Sequence, residues 1–215
     1  MIKKVIGING SPRREWNTYL MVRKCLDGAK CAGAKVKLYQ ISDFKNVKPC
    51  NSCFICKLKN REYEGKCTIK DDLEPLLNEI KEADALVVGS PIYWGNISSA
   101  VHPFLERLLS SNYSYNKDRK SVFGKKIKTG LLFTMNVDQN TSQQIYQPMF
   151  DHFRMLMAFI FGDCEVLTAY NTLQFDDYSK YDANSFDVNK KHKDRKESFP
   201  KELKEAYELG KRLVS

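Results

Sequence analysis

The sequence contains no apolar run long enough to cross a bilayer and no signal-peptide pattern at its first residues. We therefore expect a cytoplasmic protein without a membrane partner. It also lacks the cysteine framework of small secreted proteins, because its seven cysteines are an odd number and four of them lie between Cys50 and Cys67. With 215 residues, of which 42% are hydrophobic, the chain can bury a sizeable core without disulfides or a metal. We predict one globular domain spanning residues 1–215.

Acidic residues are fewer than basic ones, with 26 Asp and Glu against 35 Lys and Arg, and the net charge is therefore +9. A positive surplus of this size favours anionic partners in general. The lysines are nevertheless spread along the chain and bunch only within residues 120–128 and 190–196. Because no nucleic-acid motif accompanies them, we predict a solvated basic surface and no nucleic-acid partner.

Two common nucleotide-binding fingerprints are missing as well. Gly7 and Gly10 are not followed by the third glycine of G-x-G-x-x-G, and no Walker lysine follows a glycine. The chain instead has an apolar strand, residues 5–8, that runs into a polar bend and then opens a helix, which presents free backbone N–H groups at a positive helix end. The alternative is a well-capped first helix that binds nothing. The side chains of the bend suit a terminal phosphomonoester better than an internal pyrophosphate, and they are Ser11, Arg13, Asn17 and Thr18.

Strand-like and helix-like segments alternate along most of the chain. This order predicts a doubly wound α/β fold, with a five-stranded parallel sheet of order 2-1-3-4-5 and helices on both faces. The loops after the first and third strands then lie side by side at the carboxyl edge, where ligands bind in such sheets. The predicted strands cover residues 5–8, 36–41, 84–89, 128–134 and 164–170.

The loop after the third strand carries an aromatic pair, Tyr93 and Trp94. Exposing two large aromatic side chains is unfavourable unless something flat covers them. The flanking Pro91 and Gly95 indicate a backbone held for close approach to a ligand. The alternative is that both aromatic side chains pack beneath the following helix.

Residues 43–70 form a long functional loop, because they show no sustained periodicity and contain a run of cysteines. Three cysteines at two-residue gaps, with a fourth further along, are typical of a four-iron cluster. Structural zinc fits less well, since zinc sites generally use two separated C-x-x-C pairs. The alternative is that the thiols bind no metal, because residues 57–66 hold the fourth cysteine away from the triplet. The four residues are Cys50, Cys53, Cys56 and Cys67.

The C-terminal extension, residues 171–198, is polar and lysine-rich with irregularly spaced aromatic residues, which argues against a helix there. We expect it to dock on this subunit or on a partner, with disorder as the alternative. A helix over residues 146–161 is rich in Met and Phe. Together with the extension it offers more apolar surface than one small sheet covers, and this predicts a homodimer.

At its two carboxyl-edge loops the sequence resembles the flavodoxin-like NADPH-dependent FMN reductase superfamily, and within it the iron-sulfur flavoproteins. The resemblance rests on GSPR with the later Asn17 and Thr18, on SPIYWGN with the later Glu106 and Arg107, and on the cysteine run. It departs from the family where Glu106 stands in place of a common Asp and where the gap from Cys56 to Cys67 is longer than usual. It implies that the first loop binds the FMN phosphate through Ser11, Arg13, Asn17 and Thr18. It also implies that the second loop wraps the isoalloxazine ring, largely through backbone groups, at Pro91, Ile92, Tyr93, Trp94, Gly95 and Asn96.

The function implied by this resemblance is an FMN-dependent oxidoreductase that passes electrons from NAD(P)H to a small acceptor such as a flavin or quinone. The alternative is an iron-sulfur flavoprotein that carries electrons from ferredoxin, with a 4Fe–4S cluster on the four cysteines. A third reading, an anion- or nucleic-acid-binding module, rests only on the pI of about 9.1. Because the flavin supplies the hydride chemistry, no acid–base residue is required. We therefore assign no catalytic residue, and we expect His152 and His192 to be incidental.

Overall fold

The computed structural model describes residues 2–215 and confirms the predicted fold. Five parallel strands pair in the order β2-β1-β3-β7-β8, which is the predicted order once the short additional strands are set aside. The two-residue strand β4 adds antiparallel to the end of β3, and β5 and β6 form a separate hairpin. The strands are β1 Lys4–Asn9, β2 Lys35–Gln40, β3 Ala85–Tyr93, β4 Asn96–Ile97, β5 Tyr113–Asn116, β6 Arg119–Ser121, β7 Ile127–Thr134 and β8 Gly162–Ala169.

Helices cover both faces of the parallel sheet. One apolar layer joins α1 and α7 to the sheet, and a larger one joins α2, α3 and α5 to the opposite face. Within residues 2–215, no helix combines the length and the apolar character needed to cross a membrane. The helices are α1 Asn17–Cys31, α2 Leu73–Lys81, α3 Val101–Asn112, α4 Gln139–Ile145, α5 Gln147–Phe161, α6 Val188–Glu197 and α7 Phe199–Val214.

Strand β3 lies at the centre of the sheet and is buried from Ala85 to Ile92, because it has strands on both sides and helices over both faces. Its continuous apolar run is typical of such a strand. The edge strand β2 instead alternates between exposed and half-buried residues over its first four positions. Since β1, β3 and β7 run parallel and in register, their carboxyl ends meet at one edge of the sheet.

Helices α1 and α7 touch along their backbones, where each contributes one glycine to the contact. A Cβ atom at Gly28 would lie 1.9 Å from the carbonyl oxygen of Tyr207, and one at Gly210 would lie 1.8 Å from that of Cys25. No side chain larger than hydrogen fits at either position without moving a backbone. This contact fixes α1, whose N-terminus follows β1 at the carboxyl edge.

The prediction that residues 171–198 contain no helix was wrong, because α6 lies within them. Its sequence, VNKKHKDRKE, has no apolar stripe from which a helical period could be recognised. The helix is stabilised by its N-cap instead, since Asp187 accepts a hydrogen bond from the Lys190 backbone N–H at 2.9 Å. The extension docks on this subunit, where Tyr178 and Lys191 are buried.

Candidate functional site

The carboxyl edge of the sheet encloses a cavity of about 650 Å³. This volume lies in the range typical of small-molecule sites. The loops after β1, β3, β7 and β8 form its walls, so the topology alone brings together segments that are far apart in sequence. The lining residues are Ser11, Arg13, Trp16, Asn17, Thr18, Pro91, Ile92, Tyr93, Trp94, Thr134, Met135, Asn136, Tyr146, Thr172, Leu173 and Gln174.

The turn after β1 is fixed by its own polar groups. The Ser11 backbone N–H donates to Asn9 Oδ1 at 3.1 Å, and the Arg13 backbone N–H donates to Ser11 Oγ at 3.1 Å. The Ser98 hydroxyl donates to the Gly10 carbonyl at 2.7 Å from the segment before α3. A Cβ atom at Gly10 would lie 2.0 Å from Val101 Cγ2, so glycine is needed for α3 to pack against the turn.

Helix α1 begins at the cavity wall without a side-chain cap. Its N-cap residue is Trp16, which supplies no oxygen to the first-turn N–H groups. The alternative expectation of a well-capped first helix is therefore wrong. An uncapped helix N-terminus carries partial positive charge and free donors, an arrangement that suits an anion. The Thr18 hydroxyl lies 2.7 Å from that of Thr134, which ties this end of α1 to the end of β7.

The segment after β8 closes the cavity beside the start of α1. The Leu173 carbonyl accepts from Trp16 Nε1 at 3.1 Å and from Asn17 Nδ2 at 2.7 Å. The Arg13 guanidinium donates to the Gln174 carbonyl and lies 5.3 Å from the centre of the Trp16 ring. Two of the predicted phosphate-binding residues thus also hold this wall in place.

The aromatic loop after β3 forms a tight hairpin with β4. Trp94 and Gly95 at its tip adopt positive φ angles of 49° and 80°, and Tyr93 pairs with Asn96. Trp94 is fully exposed and Tyr93 is 48% exposed, so neither is packed beneath the following helix as the alternative expected. Pro91, Ile92, Tyr93 and Trp94 line the cavity, whereas Gly95 and Asn96 lie in the hairpin outside its wall.

Sequence reasoning missed the residues that complete the back of the cavity. Those at the end of β7 and just after it, Thr134 to Asn136, could have been found from the rule that ligands bind at carboxyl ends, because the strand itself is predicted. The segment Thr172–Gln174 carries no comparable signal. It is positioned by Lys191 of α6, which is 2% exposed and donates to the Asn136 carbonyl at 3.1 Å and to Asn171 Oδ1 at 2.8 Å. Burial lowers the pKa of Lys191 to about 8.

The four predicted cysteines line a second, smaller cavity of about 160 Å³. Burial raises the pKa of the Cys56 thiol, Lys57 lowers it, and the other three sulfurs raise it further because all four are neighbours. The loop bends sharply here, with positive φ angles at Ser52 and Phe54 of 55° and 56°. Cys67 thus lines the same cavity as the triplet, although residues 57–66 separate it from Cys56 in sequence.

The base of this cysteine loop is closed by a buried ion pair between Arg107 of α3 and Asp71, whose side chains are both inaccessible to solvent. Arg107 also donates to the Lys48 carbonyl at 3.2 Å and to the Ile69 carbonyl at 3.1 Å. Asp71 accepts from the backbone N–H groups of Lys48 and Leu73 at 2.8 and 3.1 Å. Burial alone would raise the pKa of the Asp71 carboxyl, but the hydrogen bonds from Arg107 and from the Lys48 and Leu73 backbones together hold it below its usual range.

Within residues 2–215, no three His, Cys, Asp or Glu side chains are close enough together to hold a single metal ion. The cysteine cavity therefore lacks the compact ligand set of a zinc site. A four-iron core is larger than one ion and holds its four thiolates further apart, so four cysteines around a shared cavity fit its donor set.

The chain is similar to known flavoproteins in both sequence and fold. A family described as NADPH-dependent FMN reductase matches residues 3–172. An iron-sulfur flavoprotein of Methanocaldococcus jannaschii is 41% identical over 104 residues, which are 48% of this chain and 51% of that protein. One of Archaeoglobus fulgidus is 30% identical over 128 residues, or 60% of each chain. This chain thus spans only about half to three-fifths of the length of these relatives.

The overall fold is similar to that of an NAD(P)H:quinone oxidoreductase from Methanothermobacter marburgensis. The TM-score is 0.68 at 14% identity, and the match covers 100% of this chain and 98% of that one. The family match itself covers most of this chain and includes the loops after β1, β3 and β7 together with the cysteine loop. The protein therefore belongs to the NADPH-dependent FMN reductase family.

Proposed function

We propose that the protein is an FMN-dependent oxidoreductase that passes electrons from NAD(P)H to a small acceptor such as a flavin or quinone. One observation carries this proposal: the uncapped start of α1 and the exposed aromatic loop line the same cavity of about 650 Å³. One end of the cavity suits an anion and the other suits a flat ring, which are the two parts of FMN. Membership of the FMN reductase family supports the same assignment.

Different residues of the cavity would bind the phosphate and the ring of FMN. Ser11 and Thr18 offer hydroxyl groups and Arg13 offers a charge at the phosphate end, while Tyr93 and Trp94 offer aromatic surface at the ring end. The segment Thr172–Gln174 closes the side of the cavity nearest α1 and limits the entry of water there. When bound, FMN supplies the hydride and electron-transfer chemistry, so these residues need only bind and orient it.

Anaerobic titration of the purified protein tests this proposal. We expect a yellow protein whose visible absorbance bleaches when NADPH or NADH is added and returns when a quinone is supplied. Arg14→Ala is a matched control for Arg13→Ala, because Arg14 pairs with Asp43 and lies outside the cavity wall. Colourless protein that fails to retain added FMN would contradict the proposal.

A second candidate function is an electron carrier of the iron-sulfur flavoprotein type, fed by ferredoxin. It is favoured by the convergence of Cys50, Cys53, Cys56 and Cys67 on one cavity beside two cations, Lys57 and Arg107. Such cations offset the negative charge of four thiolates. We propose that these cysteines hold a 4Fe–4S cluster, and the names of the relatives support this.

Analysis of iron and acid-labile sulfide after anaerobic purification tests the cluster. About four of each per chain are expected. Reduction by ferredoxin without direct bleaching by NAD(P)H would favour the carrier over the reductase. Full FMN content with neither iron nor sulfide would leave a simple flavin reductase with free thiols.

We further propose a homodimer in which α4 and α5 contribute to the interface. Ile145, Met155 and Phe159 on these helices are 55%, 56% and 41% exposed, which leaves apolar surface facing solvent. Light scattering should give about twice the 24.9 kDa of one chain. Met155→Glu should shift the protein towards the monomer, and a wild-type monomer at micromolar concentration would contradict the proposal.

A further inference from the structure

Arg107 differs from every other charged side chain beside the cysteine cavity, because it contacts a cysteine directly. Its Nε–H donates to Cys67 Sγ at 3.3 Å. We propose that Arg107 is a positioning residue that fixes Cys67 and raises the reduction potential of the cluster. This inference rests on the proposed presence of a four-iron cluster in the cysteine cavity.

The geometry leaves the Arg107 guanidinium little freedom to point elsewhere. Its two Nη groups are bonded to the Lys48 carbonyl, the Ile69 carbonyl and the Asp71 carboxylate, and the side chain is completely buried. These partners lie on both sides of the cysteine run in sequence. The remaining donor, Nε–H, is therefore aimed at Cys67 by a rigid set of bonds, and the sulfur is held at a fixed place on the cavity wall.

A hydrogen bond to a ligand sulfur stabilises the more negative, reduced form of a cluster, and so makes reduction easier. The effect is larger where water is excluded, because the low local dielectric strengthens the interaction. Asp71 opposes this stabilisation of the reduced cluster, since its carboxylate places a negative charge on the far side of the same guanidinium. Arg107 and Asp71 should therefore move the potential in opposite directions.

Lys57 is the other cation at this cavity, but its ammonium group is bonded elsewhere. It donates to the carbonyls of Ser110 and Tyr113, and it lies 5.5 Å from the centre of the Tyr115 ring. No hydrogen bond joins it to a cysteine sulfur in the described residues. Lys57 supplies charge at a distance, whereas Arg107 supplies a bond to one ligand.

The test is the midpoint potential of the cluster in Arg107→Lys and Asp71→Asn, measured by an anaerobic titration followed by electron paramagnetic resonance. Arg107→Lys keeps the positive charge and loses the Nε–H donor, so its potential should fall. A tenfold loss in the equilibrium constant for reduction corresponds to about 59 mV for one electron. Asp71→Asn keeps the donor and removes a negative charge, so its potential should rise.

The control is Arg119→Gln, which removes a positive charge from the exposed pair with Glu64 without touching a cysteine. Its potential should stay close to that of the wild type. If the substitutions merely loosened the loop, the midpoint potentials of Arg107→Lys and Asp71→Asn would shift in the same direction. Such a result would overturn the proposal. So would an unchanged potential in Arg107→Lys with iron content intact.

A measurement on the wild-type protein covers the case in which the buried variants fail to fold. Exchange of the Arg107 Nε–H for deuterium should shift the Fe–S(Cys) stretching bands in the resonance Raman spectrum, and no shift after full exchange would overturn the hydrogen bond. Wild-type protein without iron and sulfide would instead overturn the cluster itself, and this inference with it. The two failures are thus distinguishable.

Discussion

The two cavities of this protein are built in different ways. The larger cavity, which we call the flavin-type cavity because we propose that it binds FMN, lies at the carboxyl edge of a parallel sheet. The register of β1, β3 and β7 fixes where its loops begin. The cysteine cavity is formed mostly by a long loop without sheet pairing, with α3 and Tyr115 of β5 completing its wall. One cavity is thus positioned by the whole core, and the other by a few polar contacts.

Helix α3 connects the two cavities and explains how the loop is held. Val101 in its first turn packs against Gly10 below the flavin-type cavity, and Arg107 closes the base of the cysteine loop. The two residues are separated by roughly 9 Å along the helix axis, at 1.5 Å per residue. The two cavities thus share one helix, and the Arg107–Asp71 ion pair is the buried member of the polar contacts that hold the cysteine loop.

The largest expected effect follows from breaking that ion pair. Arg107→Met should lower the free energy of unfolding by about 3–5 kcal/mol, because it leaves the Asp71 carboxylate buried without its partner. The damage should be local, with faster proteolysis of residues 48–71 and little loss of FMN. Chemical denaturation and limited proteolysis measure both effects. Arg119→Met is the control, since an exposed ion pair contributes less than about 1 kcal/mol. Equal losses of unfolding free energy in the two variants would show that the buried ion pair is no more important than an exposed one.

The next-largest effect is expected at the end of the flavin-type cavity that we propose binds the FMN phosphate. Arg13→Ala should weaken FMN binding by about tenfold to a hundredfold, because a charge-assisted hydrogen bond is worth about 1.5–3 kcal/mol. Ser11→Ala and Thr18→Ala should weaken FMN binding in the same direction, while iron content stays unchanged. Fluorescence titration with FMN measures the affinity. Unchanged binding in all three variants would show that the phosphate lies elsewhere.

A smaller, pH-dependent effect concerns Glu202 of α7, which supports the end of β8 behind the same cavity. Its Oε1 accepts from the Tyr170 backbone N–H at 3.1 Å, whereas its buried Oε2 has no hydrogen-bond partner within residues 2–215. Burial raises the pKa of Glu202 from 4.5 to about 7, and the nearby Glu205 and Asp194 add to this. The folded state then binds a proton that the unfolded state has released, so this contribution to stability is lost as pH rises from about 4.5 through 7.

Glu202→Gln should therefore be more stable than the wild type by about 1–2 kcal/mol at pH 8 and equal to it near pH 4. Urea denaturation at the two pH values measures the difference, with Glu197→Gln as an exposed control at the end of α6. Equal stabilisation at both pH values would contradict the titration of Glu202.

The sequence predicts the strand order and the two loops at the carboxyl edge, because both leave a local pattern. The strand order follows from alternation, and the loops at Ser11 and Tyr93 follow from their position after apolar strands. The wall at Leu173 could not be predicted, because its position depends on hydrogen bonds from Lys191 to Asn136 and Asn171. Lys191 lies on α6, a helix whose sequence has no apolar stripe to reveal it. The convergence of Cys67 with the triplet depends on Arg107 and Asp71, 36 residues apart, whose pairing leaves no local pattern.

The smallest expected change in stability is at Trp94, whose side chain lines the flavin-type cavity. Trp94 is fully exposed, so Trp94→Ala should change the free energy of unfolding by no more than about 0.5 kcal/mol. Trp16 is the matched control, since it is the only other tryptophan, it is half-buried and its Nε1 donates to the Leu173 carbonyl.

Trp16→Ala should destabilise the protein by about 1–3 kcal/mol through the lost hydrogen bond and packing. If Trp94 covers a bound ring, its replacement should nevertheless weaken FMN binding, because the side chain is fully exposed among residues 2–215 and is free to pack against a ligand. Parallel denaturation and FMN titration of the two variants separate these effects. Loss of stability without loss of FMN affinity in Trp94→Ala would show that the aromatic loop supports the fold and not the flavin.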